Sequence, residues 1–570
     1  MPNDLAMKVL AVALYAAILV VIGFLASKRV QSTRDYFVSD KSLGFFHVAF
    51  SARATGESAW LLLGLTGMGY AVGVQAFWVV VGEVLGVCGA WILMARRFKR
   101  LTDRYDSVTV PDYLESRLRD SGRTLRLISA FALVVFVPIY AGAQVFATGT
   151  AFHAFLGWNH YAGAAAGFAV VLVYITQGGF TAVVWSDVFQ GSLMVVGLVA
   201  LPLVALGHIG GIGEVTTALS TIDPHLLAWH GPGDAGPGSG GWTASTIVTV
   251  VGMAAIGIGF LGSPQVFVRY ISMKDEKQIL PGTLTAGAWT VLADSGAVLV
   301  GLFGRTIFEP EALGGNADNI LPELAQGLLP AFFAGLFIAM VLSAIMSTID
   351  SLLIVASSAA VRDYWQKTRN PDIDDERLMR LTRKVTLGLS LVSFLIGIGI
   401  MLVDKEKGVF WTIIFGWSGI AATFCPVMIL SLFWSKLTAL GARCAMVAGF
   451  MGVGLFKWVV PALLDDAGLE QWSGYLESLD VLLPSFAVGF VVAIVVSLCD
   501  ARGRERVEGA ADELSQRFPH PSTMEPRCPP LGPPIANTGS AARAVQLRRP
   551  HPIGPSRSPP RSGPCEAGRR

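Results

Sequence analysis

"SARATGESAWLLLGLTGMGY", residues 51–70, has the apolar character of a membrane segment, yet it carries Arg53, Glu57 and four glycines, Gly56, Gly64, Gly67 and Gly69. A bilayer tolerates an interrupted helix only where the freed backbone is buried in protein or lines a cavity. A second stretch, "IGIGFLGSPQVFVRY" at 256–270, places Gly257, Gly259 and Gly262 ahead of Pro264. That proline deletes a helical hydrogen bond and clashes with the preceding turn. Two broken helices are therefore expected, and their place among the remaining apolar segments decides the fold.

Hydrophobic residues are 53% of the 570, charged residues 15%, and mean hydropathy is +0.57, whereas a soluble chain is about 25% charged. Apolar segments long enough to cross a bilayer as helices recur near 7–27, 44–67, 69–95, 125–152, 160–182, 186–208, 242–268, 283–305, 326–360, 385–403, 409–433, 438–463 and 481–499, thirteen in all. The first is too long for a signal peptide and has no small-residue cleavage site before Lys28, so it is expected to remain as an anchor.

Basic residues test this topology, because cytoplasmic loops retain Lys and Arg. With the N-terminus outside and the C-terminus inside, the inner segments 28–41, 96–126, 269–277 and 362–384 hold 4, 9, 3 and 7 basic residues. The outer segments hold Arg305, Lys405 and Lys407, and 209–241 and 461–480 hold none. The net charge of +2 is then a difference between faces and no sign of a nucleic-acid partner.

The six cysteines have no CxxC pairing and the eight histidines no i, i+4 pair, so neither a disulfide nor a metal site is read from them. From Arg502 onward there are twelve Arg and no Lys, with thirteen of the 29 prolines after Arg517. Such composition buries no core and is expected to form a disordered cytoplasmic tail.

The two breaks fall in the second and seventh segments, five apart, so that repeats over segments 2–6 and 7–11 run in opposite directions through the membrane. This is the inverted-repeat layout of secondary transporters. Small residues that only let helices pack closely are the other reading of the glycines. In the ninth segment, Ala344, Ser347, Thr348 and Ser351 recur at i, i+3, i+4 and i+7 and share one helical face. Their oxygens, with carbonyls from an unwound stretch near Ala54–Glu57, suit a hard cation. Alternatively the hydroxyls bond back to carbonyls four residues earlier.

These stretches, with "VTVPDYLESRLRD", "GGFTAVVWSDVFQGSLM", "LSAIMSTIDSLLIVASSA" and "GWSGIAATFCPVMILSLFWSKLT", extend from about Tyr36 to Thr438 and resemble the sodium/solute symporter family, most closely its bacterial sodium/proline branch. The resemblance implies an all-α membrane protein of thirteen transmembrane helices with a leucine-transporter-like five-plus-five inverted repeat. It divides the chain into 1–43, repeat one at 44–208, an outer loop at 209–241, repeat two at 242–433, two further spans at 434–500, and the tail 501–570.

The same resemblance implies a symporter of the bacterial inner membrane, importing a small organic solute, an amino acid such as proline, with sodium; a monocarboxylate or other organic acid as the solute, and a membrane sensor that keeps the transporter fold, are the alternatives. Its partners are solute, sodium ion and membrane lipid, with no cofactor and no obligate protein partner. Sodium is implied at the carbonyls of Ala54, Glu57 and Ala344 and the hydroxyls of Ser347 and Thr348. Asp187 is implied on the inward exit route, and Gly56, Tyr140, Ile256, Phe260 and Pro264 at the solute. Two departures bear on the solute: proline transporters of the family carry an aspartate at the position of Gly56 and an aromatic residue at that of Ile256. An intramembrane enzyme is disfavoured. Asp187, Asp294, Asp350, Glu57 and Glu83 lie at membrane depth, but no nucleophile triad or metal set accompanies them.

Overall fold

Both interrupted stretches are broken helices in the computed structural model, which describes residues 2–28, 32–232, 240–403, 408–509 and 513–514. The first half-helix, Phe45–Gly56, stops where Glu57 turns extended at φ −88° and ψ 127°. The chain winds again as Trp60–Leu65 and Thr66–Val72, then reverses at Gly73, whose φ of 63° suits glycine. The Trp60 indole N–H spans the break to donate to the Gly56 carbonyl at 3.2 Å. The second break follows a tight 3₁₀ stretch, Ile256–Leu261, after the helix Ala244–Ala255. Pro264 then opens Pro264–Ser272 at a first-turn position where its missing N–H removes no bond.

Not every glycine marks an interruption. Gly64, Gly67 and Gly69 lie inside the rewound helix, and a Cβ there would fall 2.7 Å from Phe410, 2.7 Å from Asp318 and 2.4 Å from the Val298 carbonyl. They serve close packing, the alternative weighed for them above.

Among the described residues, eleven helices are long and apolar enough to span a membrane: Asn3–Ser27, Trp60–Arg104, Thr124–Leu156, Gly179–Ile209, Ala244–Ser272, Glu276–Gly304, Ala331–Arg369, Asp375–Val403, Val409–Phe433, Ala439–Asp466 and Leu482–Cys499. Phe45–Gly56 and the apolar His160–Leu172 are shorter. Expected boundaries shift where turn chemistry intervenes. The second segment ends at Gly73 rather than 67, and the ninth begins at Ala331, after a separate helix Ile320–Leu328. The outer segment 209–241 contains a helix, Ile212–Ile222. Leu85, Leu280 and Leu402 are 68–71% exposed, as an apolar surface facing lipid requires.

Segments 96–126 and 362–384, both assigned to the inner face, meet through charges. The Thr109 hydroxyl caps Val110–Arg117 by accepting from the Asp112 N–H at 3.1 Å. Arg126 pairs with Asp112 at 2.6 Å and also with Glu115 and Asp363, while Arg362 reaches Asp112 at 3.2 Å. Burial alone would raise the Asp112 carboxyl, but the Arg362 and Arg126 guanidiniums outweigh it and hold the group below the usual carboxylate range. Residues 515–570, which carry most of the expected tail, lie outside the described residues.

Candidate functional site

Ala331–Ser358 is continuous, and from Leu342 to Ser351 it is buried throughout. Its Ser347 hydroxyl donates to the Ala54 carbonyl at 2.8 Å and lies 3.1 Å from the Ala344 carbonyl. The Thr348 hydroxyl lies 3.1 Å from the Glu57 carbonyl and 3.2 Å from that of Thr55. The five residues proposed from sequence for sodium thus fall in two contacts made by adjacent residues of one helix, Ser347 with Ala54 and Ala344 and Thr348 with Glu57, each residue 0% exposed. Thr55 adds a sixth oxygen that sequence reading passed over, although it lies between two named positions. The carbonyl end of a helix carries partial negative charge, which favours a cation at this break. Ser343, by contrast, bonds back to the Ala339 carbonyl at 2.8 Å; Ser347 keeps a local contact with Ala344 and adds a crossing to the broken helix, and Thr348 crosses as well.

Asp187, placed on the exit route, is fully buried and not free. It accepts from the Ser51 hydroxyl at 2.6 Å and from Arg269 at 3.2 Å. Arg269, counted from sequence among inner-loop charges, is 0% exposed in the core. Its guanidinium also donates to Ser51, Thr55 and Ser351, at 3.0, 2.6 and 2.5 Å. Hydropathy alone cannot separate a buried Arg at a helix end from a loop Arg one turn later.

A second charged group surrounds the break. Arg53 pairs with Glu57, four residues on, and its guanidinium lies 3.7 Å from both Glu83 and Asp294. The three carboxylates have oxygens within 4.8 Å of one another, and all are buried. The Arg53 guanidinium lies over the rings of Phe260 and Trp289, 4.9 and 5.4 Å from their centres. Glu57 thus divides its roles: its carboxylate faces Arg53 and its carbonyl faces Thr348.

Of the solute residues, Gly56 packs on Phe260 so closely that a Cβ would lie 2.5 Å from the ring. This is a physical reason for the aspartate's absence at that position. Phe260 and Tyr140 flank Trp417, at ring separations of 5.0 and 6.4 Å, and the Trp417 indole donates to the Ile256 carbonyl at 3.1 Å. Trp417, from Val409–Phe433, thus brings an aromatic ring against the Ile256 backbone and Phe260, and sequence reading did not single it out. Pro264 borders a cavity with Val110, Leu133 and Ser358.

Residues 36–449 match the sodium:solute symporter family. The chain belongs to that family. Among its relatives is the high-affinity proline transporter PutP of Bacillus subtilis, 30% identical over 482 residues, which cover 84% of this chain and 95% of the relative. The sodium/proline symporter of Escherichia coli is 30% identical over 489 residues, covering 84% and 90%. Of solved structures, a Na⁺-coupled sialic acid symporter in a substrate-bound outward-open state superposes with a TM-score of 0.68 at 19% identity, over 86% of this chain and 98% of that one. At that identity the likeness is one of fold. The symporter is thus an all-helical, multi-pass transporter of the plasma membrane.

Proposed function

We propose that the protein imports a small organic solute, an amino acid such as proline, together with Na⁺ by alternating access. The observation that carries this reading is the crossing of Ser347 and Thr348 to the carbonyls of Ala54, Thr55 and Glu57. An ion held there would clamp the unbroken helix onto the broken one and preorganise the neighbouring solute surface of Tyr140, Phe260 and Trp417. The reading includes thirteen spans in two inverted repeats over 44–208 and 242–433, an outer N-terminus, a cytoplasmic C-terminus and no cofactor. One charge moving through 100 mV supplies about 2.3 kcal/mol, enough to concentrate a zwitterion roughly fiftyfold.

The test is uptake of labelled amino acids and monocarboxylates into proteoliposomes with and without a Na⁺ gradient. Uptake that ignores the gradient for every solute would reject the reading. Ser347→Ala and Thr348→Ala should each raise the Na⁺ concentration for half-maximal uptake about tenfold, the worth of roughly 1.4 kcal/mol of lost ligation. Ser343→Ala should change it less than twofold, because its hydroxyl bonds back to Ala339 and not to the carbonyls of the broken helix. Equal effects at all three would indicate helix packing.

A solute other than proline is the second reading, favoured by Phe260 against Gly56 and by the Ile256 position. Ile256→Trp adds a ring beside Trp417 and should move the ranking of solutes toward smaller or proline-like ones, with Na⁺ dependence intact. An unchanged ranking in well-folded protein would place the solute surface elsewhere.

A further inference from the structure

The Na⁺ reading leaves Arg269 unexplained. A fully buried guanidinium is costly unless it is paired and its hydrogens are used, and Arg269 meets that condition with partners from four segments. These are Ser51 and Thr55 on the first half-helix, Asp187 on Gly179–Ile209, Ser351 on the hydroxyl helix, and the Gln265 carbonyl on its own Pro264–Ser272. Three of them border the proposed ion set. Thr55 contributes a carbonyl to it, Ser351 follows Thr348 by one turn, and Asp187 is the acid expected to receive the ion on its way inward. The side chain is carried by Pro264–Ser272, the half of the second broken helix that follows the break and that the functional reading places on the inner side.

We propose that Arg269 is an inner latch on the ion route: a positive charge that occupies Asp187 and the hydroxyls beneath the ion set, and that withdraws with its half-helix before Na⁺ passes. This rests on the functional reading above. While Arg269 pairs with Asp187, the carboxylate is taken and a like charge faces the ion from below. Once the half-helix swings away, Asp187 is released to draw the ion inward. Arg269 is a positioning residue and does not touch the solute.

The test pairs equilibrium ²²Na⁺ binding to purified protein with ²²Na⁺ flux in proteoliposomes. Arg269→Gln exposes an uncompensated Asp187 to the ion, so Na⁺ should bind at least tenfold tighter while solute uptake falls at least tenfold, as inward release slows. Arg269→Lys keeps the charge and should stay within threefold of wild type in both. The double variant Arg269→Gln/Asp187→Asn removes both charges of the pair and guards against misfolding of the single one. It should bind Na⁺ like wild type yet leak Na⁺ without solute at least tenfold faster. Unchanged or weakened Na⁺ binding in Arg269→Gln, or a double variant that remains tight to Na⁺, would overturn the latch while the wild type still binds the ion. A wild type that binds no Na⁺ would overturn the functional reading and the latch with it.

Discussion

Arg53→Gln should yield no folded protein, whereas Glu57→Gln should fold and transport. Arg53 is the guanidinium within 3.7 Å of Glu83 and Asp294 and the partner of Glu57. Removing one member of a buried ion pair costs about 3–5 kcal/mol, a large share of the roughly 5–15 kcal/mol that holds a protein folded. Here three buried carboxylates would lose their cation at once. Glu57→Gln removes one negative charge from a group with an excess of them, and leaves the carbonyl that faces Thr348 in place. Its half-saturating Na⁺ should therefore stay within twofold of wild type. The double variant Arg53→Gln/Glu57→Gln should fail like Arg53→Gln, because Glu83 and Asp294 still lack a cation. Size-exclusion profiles from detergent extracts, followed by uptake, read all three. A double variant restored to wild-type yield would mean that Arg53 serves Glu57 alone, and the four-residue cluster would be no unit.

Gly257→Ala should abolish uptake by more than tenfold. A Cβ at this position would lie 1.9 Å from the Gly82 carbonyl, and one at Gly86 would lie 2.0 Å from the Gly257 carbonyl. These are backbone contacts, so no side chain can turn aside. Phe77–Gly89 would have to move away from the second broken helix, taking Glu83 away from Arg53. Overpacking of this kind costs about 1–3 kcal/mol even where side chains can adjust. Thermal unfolding should fall with uptake. Gly399→Ala is the control: it sits in Asp375–Val403 with nothing within 4 Å of its would-be Cβ, and alanine in a helix interior gains about 0.5–1 kcal/mol. Equal losses at both positions would refute the close-approach account.

The two halves of the candidate ion set each leave a local mark in the sequence, and the resemblance to the symporter family joins them. Ser347 and Thr348 share a face by helical spacing, and the glycine and charges at 53–57 announce a break where carbonyls come free. What remained hidden depends on contacts between distant segments. Glu83 and Asp294 are recognisable as membrane-depth acids, but nothing in periodicity says that both turn toward Arg53. Trp417 sits in a stretch that could bury any of its faces, and its role follows only once the 3₁₀ turn at Ile256–Leu261 presents the Ile256 carbonyl to its indole. Gly64, Gly67 and Gly69 show the limit in the other direction: the residue type that permits a break also permits close packing, and tertiary contacts choose between them.

The Arg53–Glu57 pair also bears on how the chain enters the membrane during synthesis. Asp294 is made roughly 240 residues after Arg53, tens of seconds later at about 5–20 residues per second. Through that interval the segment around residue 53 cannot rely on its later partner, and an isolated arginine at the centre of a helix opposes insertion by about 2.5–3.5 kcal/mol. A carboxylate four residues along the chain, at the cap of the same half-helix, neutralises it from within. The first half of the protein therefore brings its own counter-charge to the translocon. In Glu57→Gln it is the quantity of protein inserted, more than the turnover of each molecule, that should fall.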